Sequence, residues 1–242
     1  MKVVYLDWGH AHCTPGKRSP DGSLMEWEFN DYMQNLLEVE LKRCGFTVVK
    51  VNPTPANGTE VSLAERCKIA NDHYKKNGKP KALYLSIHAN AFGETWNDAY
   101  GTETFVLKKT LTEAVKAANC VNTRVYRSMI TKNRGVKESN FYVLRETNMT
   151  AILTEIGFYT NKAECEKLKD KSRRKLTAKA IANGICEYFN VEYKEETPSK
   201  VTGNTYYRVI AGSYQDRDNA ENLVKSLKDK GYPAFIDIYE IK

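Results

Sequence analysis

Short apolar runs rich in β-branched and aromatic residues alternate along this chain with longer segments of helical period. That alternation restricts the fold more than any other feature of the sequence. The runs are KVVYL at 2–6, FTVVKV at 46–51, KALYLSI at 81–87, GTETFVL at 101–107 and AILTEIGF at 151–158. Between them, 26–44 carries Phe29, Met33, Leu36, Leu37 and Leu41 at helical spacing and stops at Gly45, a helix-ending residue. Segments 62–74 and 111–130 read as further helices, and 162–189 as mainly helical with an interruption near 170–172. NPTPANGTE at 52–60 is dense in turn formers, and FYVLR at 141–145 reads as short and extended. Strands alternating with helices predict an α/β domain with a mostly parallel central sheet flanked by helices.

The pattern fails after residue 190. The stretch 191–204 is charged, contains Pro198 and Gly203, and has no apolar periodicity, so it reads as a linker between a domain at 1–190 and a small module at 205–242. The module reads strand, helix, strand: YYRVIAG, then 218–230 with Ala220, Leu223, Val224 and Leu227 inward, then AFIDI. So short an α+β module has a thin core, and either a second copy, giving a homodimer, or docking onto the main domain would complete it.

Among 242 residues, 37 Lys and Arg against 30 Asp and Glu give a net charge of +7. From Asn204 onward acid and base balance, so the excess lies in the first domain, with a basic concentration at 162–179. Such a balance favours an anionic partner: nucleic acid, a membrane surface or a wall polymer. No run reaches transmembrane length, which argues against membrane insertion, and MKVVYLDWGH lacks the form of a secretory signal. The expectation is a protein that stays in the cytoplasm until another route releases it. The six cysteines include no C-x-x-C pair and read as free thiols, mostly buried.

Open α/β sheets build sites at the carboxyl ends of their strands. The first strand leads into LDWGHAH, the third into SIHAN and the late strand into TEIGFYTN, while the first long helix opens with MEWEFN. Two histidines, His10 and His88, thus converge with several glutamates. Imidazole nitrogen and carboxylate oxygen are common zinc donors, and three protein ligands with a nearby proton-handling carboxylate is a hydrolase design. A core histidine with satisfied ring nitrogens remains the alternative for His88.

These residues resemble, in order and spacing, the zinc-dependent N-acetylmuramoyl-L-alanine amidases of bacterial autolysins and phage endolysins. The motifs are Gly9-His10, then Glu26 with Phe29 and Asn30, SLAERCKIAN at 62–71, SIHANA at 86–91, and FYVLRETNMTAILTEIGFYTN at 141–161. The resemblance covers about residues 1–190. It implies that His10, Glu26 and His88 bind Zn2+ and that Glu155 is the catalytic carboxylate. The bond cut would be the amide between N-acetylmuramic acid and L-alanine of peptidoglycan. Glu28 competes with Glu26, but two positions apart on a helix they face different ways, and the family pattern fits Glu26. The chain departs from the pattern in AHCTPGKRSPDG, usually glycine-rich, and in Thr150, often proline. His12 is open to a supporting, substrate-contacting or merely exposed role, and His73 reads as exposed.

The terminal module resembles the first half of the SPOR-like repeats that bind peptidoglycan. Its Tyr206, Tyr207, Tyr214 and Tyr232 either stack on sugars or serve as packing. The setting implied is a phage or prophage endolysin, with a sporulation-linked lysin as variant, acting on the cell wall and not on nucleic acid. Two rivals stand beside it: a wall peptidase using Cys13 with His10 or His12, and a non-catalytic protein that holds the wall by charge.

Overall fold

The computed structural model describes residues 1–52, 59–196, 212–232 and 234–236. The chain divides into two compact units, Met1–Glu196 and Thr197–Lys242. The first runs β1 (Lys2–Trp8), α1 (Glu26–Arg43), β2 (Thr47–Lys50), α2 (Leu63–Lys76), β3 (Lys81–Asn90), β4 (Thr102–Val106), α3 (Thr112–Met129), β5 (Asn133–Glu138), α4 (Tyr142–Arg145), β6 (Thr150–Phe158), α5 (Lys162–Lys169) and α6 (Lys171–Phe189). Among the described residues the sheet has six strands in the order β2-β1-β3-β6-β4-β5. Strands β2, β1, β3 and β6 run parallel, β4 is antiparallel to β6, and β5 runs parallel to β4. The expected α/β architecture with a mostly parallel sheet is the one observed.

Helices cover both faces. Phe29, Met33 and Leu37 of α1, Val121 and Val125 of α3, and Ile181 and Ile185 of α6 pack with Val4, Leu85 and Ile152 on one side. Cys67 and Ala70 of α2 and Val143 and Leu144 of α4 pack with Tyr5, Tyr84 and Leu153 on the other. Coverage of both faces explains why the first and third strands read as unbroken apolar runs rather than alternating ones. Gly184 lets α6 approach α3 closely: a Cβ there would stand 2.7 Å from the Cys120 carbonyl oxygen.

Local chemistry sets the helix ends. α1 places Glu26 and Glu28 in its first turn and Lys42 and Arg43 in its last, each complementing the helix dipole. Ser62 caps α2 through the Glu65 amide. Asp170 ends α5 and caps α6 through the amides of Ser172 and Arg173, which accounts for the break expected near 170–172.

Two local expectations are corrected and one strand is added. FYVLR is not extended: Tyr142–Arg145 form a helical turn, closed by the Glu146 amide donating to the Tyr142 carbonyl. A short apolar run does not distinguish strand from helix by period. The strand β5, NRGVKE, carries too few apolar residues to be read as one; it is a charged edge strand, a composition that discourages pairing with other chains. His73 is half-buried, its Nδ1 3.0 Å from the Tyr5 hydroxyl. It shares a helical stripe with buried Arg66 and Ala70, a relation its polar neighbours in sequence conceal.

The stretch after α6 packs on the first unit as far as residue 195. Val191 and Tyr193 lie against the core, the Tyr193 hydroxyl donates to Glu40 Oε2 at 2.5 Å, and Arg43 Nε donates to the Lys194 carbonyl at 2.8 Å. In the second unit, α7 (Arg217–Asp229) is capped by Asp216 through the Asn219 amide. Ala220, Leu223, Val224 and Leu227 form its less exposed stripe, and Tyr214 and Tyr232 are exposed. Of the two expected strands there, 206–211 and 237–238 lie outside the described residues, as do Tyr206 and Tyr207; 234–236 are not in a strand.

Candidate active site

The loop between β1 and α1 positions the first two residues of the site. β1 ends at Trp8, and the Gly9 amide donates to the Ile87 carbonyl of β3, keeping the chain against its neighbour one residue further. His10 then takes a left-handed conformation with φ 65°, which turns its side chain out of the strand direction. Such a conformation is uncommon for a side-chain-bearing residue, though less so for histidine. The chain reverses through a bridge between Arg18 and Met25, and Asp21 binds the Ser19 and Ser23 hydroxyls. The Glu26 amide donates to the Lys17 carbonyl at 2.9 Å, fixing the start of α1.

Glu26 stands between two imidazoles. Its Oε2 is 3.3 Å from His10 Nε2 and its Oε1 is 3.0 Å from His88 Nδ1. The two rings meet edge to face at 84°. Glu26 Oε1 also accepts from the Ala89 amide at 3.3 Å, and Asn30 Nδ2, one turn along α1, donates to the Gly9 carbonyl at 3.1 Å. The glycine before His10 is required by packing, since a Cβ at Gly9 would fall 1.9 Å from a ring atom of His88.

Burial pushes the Glu26 carboxyl up, but its hydrogen bonds to His10 and His88 outweigh that and hold it at about 2. For His88, burial pulls the imidazole down, and the Glu26 hydrogen bond and the Glu155 charge raise it further than burial lowers it. Glu155, in β6, is the ladder partner of His88. It lies three residues before the end of its strand, and its Oε2 is buried without a hydrogen-bond partner. Burial raises its pKa to about 8, His88 opposes the rise, and Glu26 and Glu103 add to it.

The structure therefore brings His10, Glu26, His88 and Glu155 together. It leaves Glu28 exposed. β1 does not continue far enough for His12 to share the face of His10; His12 is exposed, its ring edge-on to Trp27 at 5.4 Å. Cys13 is exposed and free, and of the two histidines offered as its base His10 is paired with Glu26. The other five cysteines are also free, four of them buried.

Two groups escaped the sequence reading. Asp7 is buried in an ion pair with Arg66 at 3.0 Å and accepts from the Ser86 hydroxyl at 2.6 Å, tying α2 to the sheet directly beneath the site. Arg66 in SLAERCKIAN is thus a structural partner. Glu103 of β4 is the ladder partner of Glu155 on the other side, is buried, and binds Arg134, Lys137 and the Asn90 amide group. The signal for Glu103 was a lone glutamate inside the β-forming run GTETFVL.

Donor atoms of His10, Glu26 and His88 lie within 4.8 Å of one another. With zinc-to-ligand bonds of about 2.0–2.1 Å, the edge of a tetrahedral site is about 3.3 Å. Two imidazoles and one carboxylate within that 4.8 Å reach are donors that zinc takes, and with one atom from each a fourth position is left for water, so the residues present fit zinc.

Comparison with known proteins identifies the family of the chain. The profile of Amidase_3, N-acetylmuramoyl-L-alanine amidase, matches residues 4–187. A SPOR domain profile matches residues 155–237, overlapping the end of the first match. The chain is 29% identical to the sporulation-specific N-acetylmuramoyl-L-alanine amidase of Bacillus subtilis, covering 98% of this chain and 84% of the relative. It is 30% identical to the N-acetylmuramoyl-L-alanine amidase CwlM of Bacillus licheniformis, covering 98% and 85%. The fold superposes on the catalytic domain of the amidase CwlV from Bacillus (Paenibacillus) polymyxa with a TM-score of 0.69 and 32% identity, over 79% of this chain and all of that one. Motif order in the sequence, sheet topology and these matches over the same residues make the chain a member of the Amidase_3 family of N-acetylmuramoyl-L-alanine amidases.

Proposed function

We propose that this protein is a zinc-dependent hydrolase of bacterial peptidoglycan that cuts the amide between the lactyl group of N-acetylmuramic acid and L-alanine. The observation that carries the reading is the convergence of His10, Glu26 and His88 beside a carboxylate, Glu155, whose Oε2 is buried and unpaired. His10, Glu26 and His88 hold the metal. Zinc, when bound, polarises the scissile carbonyl, acidifies water and adds the positive charge that returns Glu155 to its ionised form.

Glu155 takes the proton from the attacking water as the C–O bond forms, and gives it to the leaving nitrogen as the C–N bond breaks. The products are a muramoyl carboxylate and a stem peptide with N-terminal L-alanine. Asn30, by binding the Gly9 carbonyl, and Gly9, by its lack of a side chain, hold His10 and His88 in place. The positive excess of the first unit favours approach to an anionic wall. The match to SPOR supports a terminal module that adds wall affinity.

Incubation with purified peptidoglycan, with and without a chelator, tests the reading. New N-terminal L-alanine, lost with chelator and restored by zinc, is the expected result. Activity that survives chelation but not thiol alkylation would favour Cys13 instead. Binding without release would leave a non-catalytic wall protein. The endolysin setting differs from a sporulation-linked one in when the protein accumulates: with phage lysis in the first case, with spore formation in the second.

A further inference from the structure

Ladder pairing places four residues in a row across one face of the sheet: His88 on β3, Glu155 on β6, Glu103 on β4 and Gly135 on β5. Strands are about 4.8 Å apart, so the row runs roughly 14 Å from the metal ligand to the sheet edge. Its far end is bare, because a Cβ at Gly135 would meet nothing within 4 Å. Beside that gap stand two cations. Arg134 Nε donates to Glu103 Oε2 at 2.6 Å, its guanidinium lies over the Phe158 ring, and it donates to the Tyr100 carbonyl at 3.2 Å. Lys137 binds the same Glu103 oxygen, and 40% of its side chain is exposed.

Two like-charged carboxylates facing each other across a ladder repel. Glu103 next to Glu155 is tolerated because Arg134 and Lys137 both bind Glu103 Oε2, so two positive charges stand against the two carboxylates. Both cations belong to the edge strand β5, at the end of the row away from His88.

We propose that this row is the track for the stem peptide, with Arg134 and Lys137 forming a subsite for a free carboxylate on the peptide beyond its first residue, and Glu103 the positioning residue that holds both cations in place. This rests on the amidase reading and adds a specificity to it: stem peptides with a free carboxylate are preferred over those in which it is a carboxamide. Arg134 supplies a fixed planar donor and Lys137 an adjustable one, a pairing suited to a carboxylate that arrives on a flexible chain.

The test uses the zinc-loaded full chain and two synthetic N-acetylmuramoyl peptides that differ only in whether the second stem residue carries a free carboxylate or a carboxamide. Release of the peptide with N-terminal L-alanine gives kcat/KM for each. The expected preference of the wild type for the carboxylate is about tenfold, the scale of one charge-assisted hydrogen bond. Lys137→Gln should reduce the ratio toward unity through a rise in KM on the carboxylate substrate, and Lys137→Arg, which keeps the charge, should retain it. Equal treatment of the two substrates by the wild type, or a Lys137→Gln variant with the ratio unchanged, overturns the subsite and leaves the amidase reading intact. Failure of the wild type to cut either substrate overturns both.

Discussion

Glu155 is the direct ladder partner of His88 across the parallel pair β3–β6, so both side chains leave the same face of the sheet, one strand spacing apart. The arrangement places a carboxylate with a buried, unpaired oxygen beside the three-residue donor cluster, of which His88 is a member. It costs folding stability, since desolvation lifts the Glu155 pKa to about 8.

Replacing Glu155 by Gln should separate the two roles of the site. Amide hydrolysis should fall by about 10²–10⁴-fold, the range for loss of a general acid–base group. Zinc content measured on the purified variant should stay at the wild-type level. In the metal-free protein the variant should melt higher by about 2–4 °C for each kcal/mol of carboxylate desolvation removed.

The choice between the two glutamates at the start of α1 is open to a direct comparison. Glu26→Ala removes a buried carboxylate that both histidines contact and should abolish zinc binding and activity. Glu28→Ala, at an exposed position, should change neither by more than about twofold and should alter stability by no more than about 0.5 kcal/mol. Equal losses in both variants would refute the assignment.

At Gly9, the substitution to Ala introduces a methyl 1.9 Å from a His88 ring atom. The ring must move, and zinc affinity measured by competition with a chromophoric chelator should fall by about 10–100-fold, as when a metal ligand loses its support. The far-ultraviolet spectrum should be unchanged, because the site and not the sheet bears the displacement.

Acid and alkali should act on the metal-free protein through different groups. Glu26 is held at about 2 in the folded chain against an ordinary 4.5, so the stability it contributes above 4.5 is lost as the pH falls toward 2. Glu155 keeps its proton up to about 8, so between 4.5 and 8 the folded state binds more protons than the unfolded one, and stability falls as the pH rises. The raised His88 acts in the same direction, its contribution being lost as the pH rises through its folded value. Each proton contributes a slope of at most about 1.4 kcal/mol per pH unit. The melting temperature of metal-free wild type should therefore decline from pH 5 to pH 8, and Glu155→Gln should flatten that decline.

Residues 190–195 behave as part of the first unit. Tyr193→Ala removes a ring packed on the core and the hydroxyl that donates to Glu40. The expected loss is about 2–4 kcal/mol, read from urea denaturation. A chain ending at residue 189 should be destabilised by at least as much, and one ending at 196 should not.

The apolar runs were legible as strands because burial on both faces of a parallel sheet writes itself as continuous hydrophobicity. The polar edge strand at 133–138 was not, since its pairing comes from backbone hydrogen bonds to β4 that its side chains do not announce. The half-burial of His73 was hidden for a related reason: its burial depends on the helix stripe it shares with Arg66 and Ala70, not on its neighbours in sequence.

By itself the sequence determined the fold class, because strands buried on both faces write themselves as apolar runs; it offered the members of the site through converging strand ends and through the family resemblance that picked out His10, Glu26, His88 and Glu155 among them. Only the tertiary structure decided which atoms meet. Contact between Glu26 and both imidazoles depends on the turn at His10 and the packing of Gly9 on His88. The placing of Glu103, Arg134 and Lys137 beside Glu155 depends on ladder register. Register and chain reversal are set by contacts between residues far apart in the chain, which no local pattern encodes.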